Sequence, residues 1–311
     1  MQTTSSILMV RPSTFGFNPE TAASNAFQSK LADVTTNEIK VKALGEFDNF
    51  VELLRQKGIR VVVIEDTAAP EKPDAIFPNN WITLHRNGTV ALYPMHAINR
   101  RFERRQEIVE ILNQDFEVKN LVDFSHHENS NQYLEGTGSM ILDHENRLVY
   151  ACLSPRTDLN LLQEFCQEFQ FEPVVFHAYD HSGGLVYHTN VILCIGHQFA
   201  VLCTSTIRDE QEKKKVIETL TRTVHEIIDI TSEQLRQYAG NMLEVKNPAG
   251  QHFLVMSEQA YKSLRPDQMK QIEKYAEIIA VPIYTIEHVG GGSARCMMAE
   301  IFLPEKEKNQ Q

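Results

Sequence analysis

One cysteine stands where chemistry could be done. Cys296 follows Gly290-Gly291-Gly292-Ser293-Ala294-Arg295 and precedes Met297-Met298-Ala299-Glu300-Ile301. Three glycines relax the backbone, so the lead-in reads as a mobile loop. The apolar run through Phe302 and Leu303 reads as a buried strand. A thiol between a flexible loop and a rigid strand suits a nucleophile, held from one side and gated from the other. Alone, the residue reads more readily as core, because free cysteine is among the most buried residue types. Partners elsewhere in the chain must decide.

The composition bounds those partners. The chain has 311 residues and is 42% hydrophobic, enough for a sizeable globular core. A net charge of −11 argues against nucleic acid as the main partner. The five cysteines Cys152, Cys166, Cys194, Cys203 and Cys296 are odd in number and lack metal-site spacing. Four lie in apolar surroundings and read as reduced thiols, which implies a reducing, cytoplasmic location. No apolar run is long enough to cross a bilayer. Ile7-Leu8-Met9-Val10 is too short for a signal-peptide core, so no membrane partner is expected. The sequence leaves open whether the chain forms a homo-oligomer.

The elements that would position Cys296 repeat. Residues 7–10 read as a strand, 18–33 as polar loop, 38–57 as a helix ended by Gly58, and 60–64 as a strand. Hairpins follow at 81–93, 138–152, 191–203 and 242–256, the first turning at Asn87-Gly88. Helices are expected at 100–114, 158–169, 209–227 and 258–276, with strands at 118–122, 172–176 and 279–284. The hairpins recur every roughly 50–60 residues, a period that marks arrays and propellers. The expected fold is α/β: a single domain over 1–311, a five-bladed α/β propeller of hairpin–helix–strand repeats. The N-terminal strand would pair with the last unit and close the ring. The tail from 304 is expected to fray. In this arrangement the residues just ahead of each hairpin, Asn80, Asn190, Asn241 and Cys296, converge on the axis.

Three stretches lie at corresponding points of the repeat. They are Asp74-Ala75-Ile76-Phe77-Pro78-Asn79-Asn80-Trp81, Leu134-Glu135-Gly136-Thr137-Gly138-Ser139 and Val186-Tyr187-His188-Thr189-Asn190-Val191. Together with Gly-Gly-Ser-Ala-Arg295-Cys296-Met and Ser154-Pro155-Arg156-Thr157, they resemble the guanidine-modifying enzymes. That group includes arginine deiminase, dimethylarginine hydrolase and the amidinotransferases. The resemblance covers most of the chain and implies a five-bladed propeller with a Cys–His–Glu/Asp site, no metal and no cofactor. Phe-Pro-Asn-Asn-Trp further resembles bacterial amidinotransferase-like proteins, among them citrulline-using hydrolases.

The resemblance implies roles for the residues. Cys296 attacks a guanidine or ureido carbon, His188 protonates the leaving amine and then activates water, and Glu135 orients His188. Asp74, Phe77, Asn79, Asn80 and Asn190 would line the substrate pocket. Arg156 would clamp the substrate carboxylate, with Arg101 as a second clamp and Arg295 in the lid. Arg100 and Arg101 both sit where dimethylarginine hydrolase has that second clamp, although exposed helical arginines are the commoner reading for the pair. Deiminases carry aspartates at the positions matching Asn80 and Asn190. An amide both donates and accepts, which suits a neutral ureido group, so citrulline is the expected small-molecule substrate. Its cleavage would give ornithine, carbon dioxide and ammonia. Arginine deiminase or amidinotransferase activity is the alternative, because Asp74 stays acidic. A non-catalytic binding propeller is the rival from another class, and the joint presence of Cys296, His188 and Glu135 speaks against it. His126-His127 reads as a loop pair rather than a metal site.

Overall fold

The computed structural model describes residues 1–22, 25, 27–31, 34–224 and 226–307. Strand β1 (Ser6–Arg11) leads through helix Thr36–Gln56 to the parallel strand β2 (Arg60–Glu65). Thr35 and Glu38 cap that helix reciprocally, and its inward stripe is Phe47, Phe50 and Leu54. The next unit holds β3 (Ile82–Leu84), β4 (Thr89–Leu92) and β5 (Asn120–Asp123). Two more hold β6 (Ile141–Asp143), β7 (Leu148–Cys152) and β8 (Glu172–Phe176), then β9 (Leu193–Ile195), β10 (Phe199–Leu202) and β11 (Glu226–Asp229). The last strands are β12 (Leu243–Lys246), β13 (His252–Ser257), β14 (Glu277–Val281) and β15 (Ala299–Glu300).

Each unit uses one topology. Two strands pair antiparallel, and a third returns through a helix to run parallel to the second. The fifth unit is assembled from both ends of the chain, in the order β15-β1-β2. Its antiparallel pair sets Ile7 opposite Glu300 and Leu8 opposite Ala299.

The expected closed propeller is not formed. Among the described residues there are five separate three-stranded sheets, and none closes into a barrel or ring. The reason is local: β1 has β15 on one side and β2 on the other, so both its edges are used within one open sheet. Neighbouring sheets meet mainly through side chains such as Leu8, Trp81, Ile82 and Ile301, with single bridges such as Leu84–Ile301 between them.

Several local expectations also change. Residues 209–227 split into helix Glu210–Thr223 and strand β11. Residues 100–114 split into a 3-10 turn, Ile98–Glu103, and helix Gln106–Asp115. Helix Tyr284–Gly290 stands directly ahead of the glycine stretch. The strand expected after Cys296 shrinks to Ala299–Glu300, and Cys296 itself sits in the 3-10 turn Ala294–Met297. The tail does not fray at its start: the Lys306 N–H donates to the Asp115 carbonyl, and Glu305 pairs with Arg60 at 3.1 Å. Residues 308–311 of that tail, and residues 23, 24, 26, 32 and 33 of the expected loop, lie outside the described residues.

Thr189 ties two units together. Its hydroxyl accepts from the Cys152 N–H at 2.9 Å and donates to the Ser139 carbonyl at 2.5 Å. Thr189→Val preserves the shape but removes that partner from both buried groups. The expected cost is about 1–3 kcal/mol, read as a lower urea midpoint with an unchanged slope.

Candidate active site

The loops ahead of the hairpins carry the polar groups expected at the centre. Cys296 is held by its N–H, which donates to the Ser293 carbonyl at 3.0 Å. The Ser293 hydroxyl in turn donates to Glu287 at 2.6 Å, a residue of the preceding helix. The glycines serve close packing more than motion. A Cβ on Gly290 would lie 2.9 Å from the Phe77 ring, and one on Gly292 would lie 2.8 Å from it. Gly291 alone needs left-handed backbone, at φ 65°. Its carbonyl accepts from Tyr187 at 3.1 Å and from Asn25 at 3.2 Å.

Two amides face the thiol. Asn241 Nδ2 lies 3.3 Å from Cys296 Sγ and Asn190 Nδ2 lies 3.5 Å from it. Both residues sit just ahead of hairpins, in separate units. Together the two amides fix the position of the sulfur.

His188 and Glu135 form a buried pair. His188 Nε2 lies 2.7 Å from Glu135 Oε2, and the His96 N–H donates to Oε1 at 3.0 Å. Arg156 Nη1 stands 3.4 Å from the same Oε2. Burial opposes ionisation of Glu135, but the Arg156 charge and the His188 bond outweigh it and hold its pKa well below the usual carboxylate range. Burial also dominates at His188. It exceeds the attraction of Glu135 and pushes the imidazole down to about 4, so the ring is neutral at neutral pH. Gly138 makes this packing feasible, since a Cβ there would lie 2.8 Å from the His188 ring.

The remaining polar groups form a second layer. Arg100 is buried and makes a two-pronged pair with Glu103, both bonds at 2.9 Å. It also donates to Asn80 Oδ1 at 2.8 Å. Burial pushes Glu103 up to about 7 despite that partner. Asp74 Oδ2 accepts from Asn18 at 2.7 Å and from Thr21 at 3.1 Å, while Oδ1 has no hydrogen-bond partner. Burial raises the Asp74 pKa against the pull of Arg100.

Cys296, His188, Asn80, Asp74, Arg156, Phe77 and Arg100 line one cavity, closed over by Thr21, Asn25 and the three glycines. It measures about 20 Å³, room for a water but not an amino acid, so it must widen to admit a ligand. A larger apolar cavity of about 270 Å³ lies on the other side of Tyr187 and includes neither Cys296 nor His188. Volume favours the second; the convergence of titratable groups singles out the first.

Three expected positions differ. Arg295 is turned away, its guanidinium on the Met298 carbonyl at 2.8 Å and Glu300 at 2.7 Å, so it is a structural anchor rather than a lid. Consecutive residues of a 3-10 turn point roughly 120° apart, which separates Arg295 from its neighbour Cys296. Arg101 bonds the Met95 carbonyl and Glu128 outside the cavity, and the buried Arg100 takes the inward place instead. Asn79 is buried behind the cavity, with Nδ2 on Thr137 at 3.3 Å. Sequence reasoning missed Asn18, Thr21 and Asn25, which come from a stretch without periodicity. The neighbourhood of Tyr187 in its motif was the one available signal for that residue.

The sequence matches the eukaryotic N,N-dimethylarginine dimethylhydrolase family over residues 11–303. No curated protein matches the chain. Among solved structures, the N-terminal domain of ArgZ carrying a covalent reaction intermediate aligns with a TM-score of 0.74 at 15% identity, over 96% of this chain and 98% of that one. ArgZ is described as an arginine dihydrolase of the ornithine–ammonia cycle in cyanobacteria. AgrE with bound L-arginine aligns at 0.75 and 14% identity, over 97% of this chain but 41% of its own. A dimethylarginine dimethylaminohydrolase aligns at 0.64 and 14% identity, over 95% and 99% of the two chains. At these identities the structural likeness speaks for the fold, and the family match covers nearly the whole sequence. The chain belongs to the N,N-dimethylarginine dimethylhydrolase family, within the guanidino-group-modifying superfamily.

Proposed function

We propose that this protein is a cysteine hydrolase that cleaves arginine at the guanidino carbon in two rounds, ending at ornithine. The observation that carries the reading is the buried carboxyl of Asp74 in the cavity, one oxygen of which has no hydrogen-bond partner. Asn80 Nδ2 in the cavity and Asn190 Oδ1 beside the thiol also have no hydrogen-bond partner. Arg100 occupies the oxygen of Asn80. A ureido group, with three N–H groups and a carbonyl, could meet these by hydrogen bonding too, but only a guanidinium brings a positive charge to the buried carboxyl of Asp74. This favours arginine over citrulline as the starting substrate, against the expectation drawn from the amides alone.

The residues then take these roles. Neutral His188 accepts the proton of the Cys296 thiol, and Glu135 stabilises the resulting imidazolium. The thiolate attacks the guanidino carbon, and the proton on His188 leaves with ammonia. A water deprotonated by His188 attacks the same carbon, frees the thiol and leaves a ureido group. In the second round the ornithine amine is expelled, leaving a carbamoyl thioester. Water then releases carbamate, which gives carbon dioxide and a second ammonia. The amides Asn80 and Asn190 accept a charged guanidinium and a neutral ureido group alike, which two carboxylates would not do. Arg156 is the candidate partner of the substrate carboxylate. ArgZ, an arginine dihydrolase, and AgrE, solved with L-arginine bound, support this reading.

Products decide between the neighbouring activities. The expected yield is two ammonia and one ornithine per arginine. Citrulline with one ammonia would indicate a deiminase, and turnover confined to N,N-dimethylarginine with release of dimethylamine would sink the arginine assignment. Cys296→Ser should slow turnover at least about a thousandfold. Mass spectrometry of the quenched wild type should find the adduct on Cys296.

Acid should destabilise the fold through His188. Its folded pKa of about 4 lies below the ordinary value near 6.5. Protons therefore bind the unfolded chain first, and stability is lost as pH falls from about 6.5 towards 4. Glu135, also depressed, adds a loss below the ordinary carboxylate pKa. His188→Asn should remove part of the fall of the urea midpoint as pH drops from about 6.5 towards 4, leaving the share of the other buried imidazoles, His85 and His144. An equal fall in both proteins would contradict the assignment.

A further inference from the structure

Away from the cavity, two histidines and a glutamate converge. Glu244 lies in β12, His197 in the turn between β9 and β10, and His252 opens β13. The Glu244 side chain is fully buried, yet among the described residues no lysine or arginine pairs with it. Its partners are the two imidazoles. His197 Nδ1 lies 2.6 Å from Oε1 and His252 Nδ1 lies 2.9 Å from the same oxygen. The rings stack with centroids 4.0 Å apart. Both present the same nitrogen to one point, and both stay about a quarter exposed, at 24%. The three potential ligand atoms lie within 4.8 Å of one another.

We propose that His197, His252 and Glu244 form a binding site for a zinc-class divalent cation, separate from the cavity of Cys296. Two imidazoles and one carboxylate are a three-ligand zinc set that leaves a fourth position for water. Tetrahedral bonds of about 2.0–2.1 Å separate ligand atoms by roughly 3.3 Å, so a spread of about half an ångström from the present spacing admits the ion. The exposed ring edges supply access and a place for that water. The carboxylate is already seated: the His197 N–H donates to Oε2 at 2.5 Å, which fixes its orientation from behind. Gly196 leaves room for it, since a Cβ there would lie 2.8 Å from Oε2. Occupied, the site would staple the third hairpin turn to the fourth hairpin. Glu244 lies three residues beyond Asn241, roughly 10 Å along an extended chain, so the ion would not touch the sulfur.

The second cluster, His126, His127 and Glu164, is a weaker candidate. Glu164 is 47% exposed, and His126 Nδ1 already faces the Asp123 carbonyl, so binding there must order free side chains.

The test uses the full chain carrying Cys296→Ser, which removes the thiol of the active-site cavity. Equilibrium dialysis against zinc chloride with metal analysis should give one zinc per chain, and zinc should raise the melting temperature. His252→Ala and His197→Gln should each weaken that binding by at least about tenfold, more than loss of an outer partner costs. They should also abolish the thermal shift while keeping the circular dichroism of the parent. His126→Ala should behave like the parent. Absence of stoichiometric zinc in the parent, or equal affinity in a folded His252→Ala chain, would overturn the proposal. Retention of arginine turnover by His252→Ala in the otherwise native chain keeps this question apart from the function proposed for the cavity.

Discussion

The buried charge on Glu135 is the constraint on which the rest of the centre depends. A carboxylate taken fully out of water costs several kcal/mol unless its oxygens are matched. Here one oxygen faces His188 and Arg156 and the other accepts a backbone N–H. Those partners come from different loops, so the charge forms a stable site only when the units are docked. The same partners define what the imidazole can do. With Nε2 committed to Glu135, Nδ1 is the nitrogen left for proton exchange in the role proposed for the ring. A change that removed the charge would strand Arg156 as well, since its guanidinium is buried beside it.

Close approach, more than loop motion, explains the glycines. Gly138 brings the acidic loop against His188, while Gly290 and Gly292 bring the nucleophile loop against Phe77. Phe77 is thereby both a wall of the cavity and the floor of the loop carrying Cys296. The result is a thiol fixed by its own short turn and by two amides, with the flexible lead-in that glycine content suggests replaced by a packed one. Positioning of this kind converts binding energy into orientation at the reacting carbon.

The sequence displayed the plan of the units and the main groups, and it concealed their register. Hairpins such as 81–93 and 242–256 were readable from turn residues and alternation, and the glycine, Glu135 and His188 motifs from their shared place in the repeat. Strand β11 was hidden because Ile227 and Ile228 continue the helical pattern of the preceding residues. Arg100 and Arg101 show a finer limit. An α-helical reading leaves Arg100 outside, whereas the 3-10 turn Ile98–Glu103 rotates it inward to Glu103 and Asn80. Arg295 was misread for the same reason, since adjacency to Cys296 in a tight turn means divergence. The histidine–glutamate cluster had no signature at all, because its members meet only when β9 and β12 pack.

Charge counting links the centre to its ligand. Two cations, Arg100 and Arg156, face three buried acids, Glu103, Glu135 and Asp74. Arg100 is bonded directly to Glu103 and Arg156 lies against Glu135, while Asp74 stands farther from charge, 3.9 Å from Arg100, with one oxygen that has no hydrogen-bond partner. Burial raises its pKa against the pull of Arg100 and Arg156. On the proposed reading, a guanidinium would place its positive charge beside Asp74 and offer N–H groups to the oxygen that has no hydrogen-bond partner. The ureido intermediate that follows would be neutral, and Asn80 and Asn190 would hold it by hydrogen bonds alone.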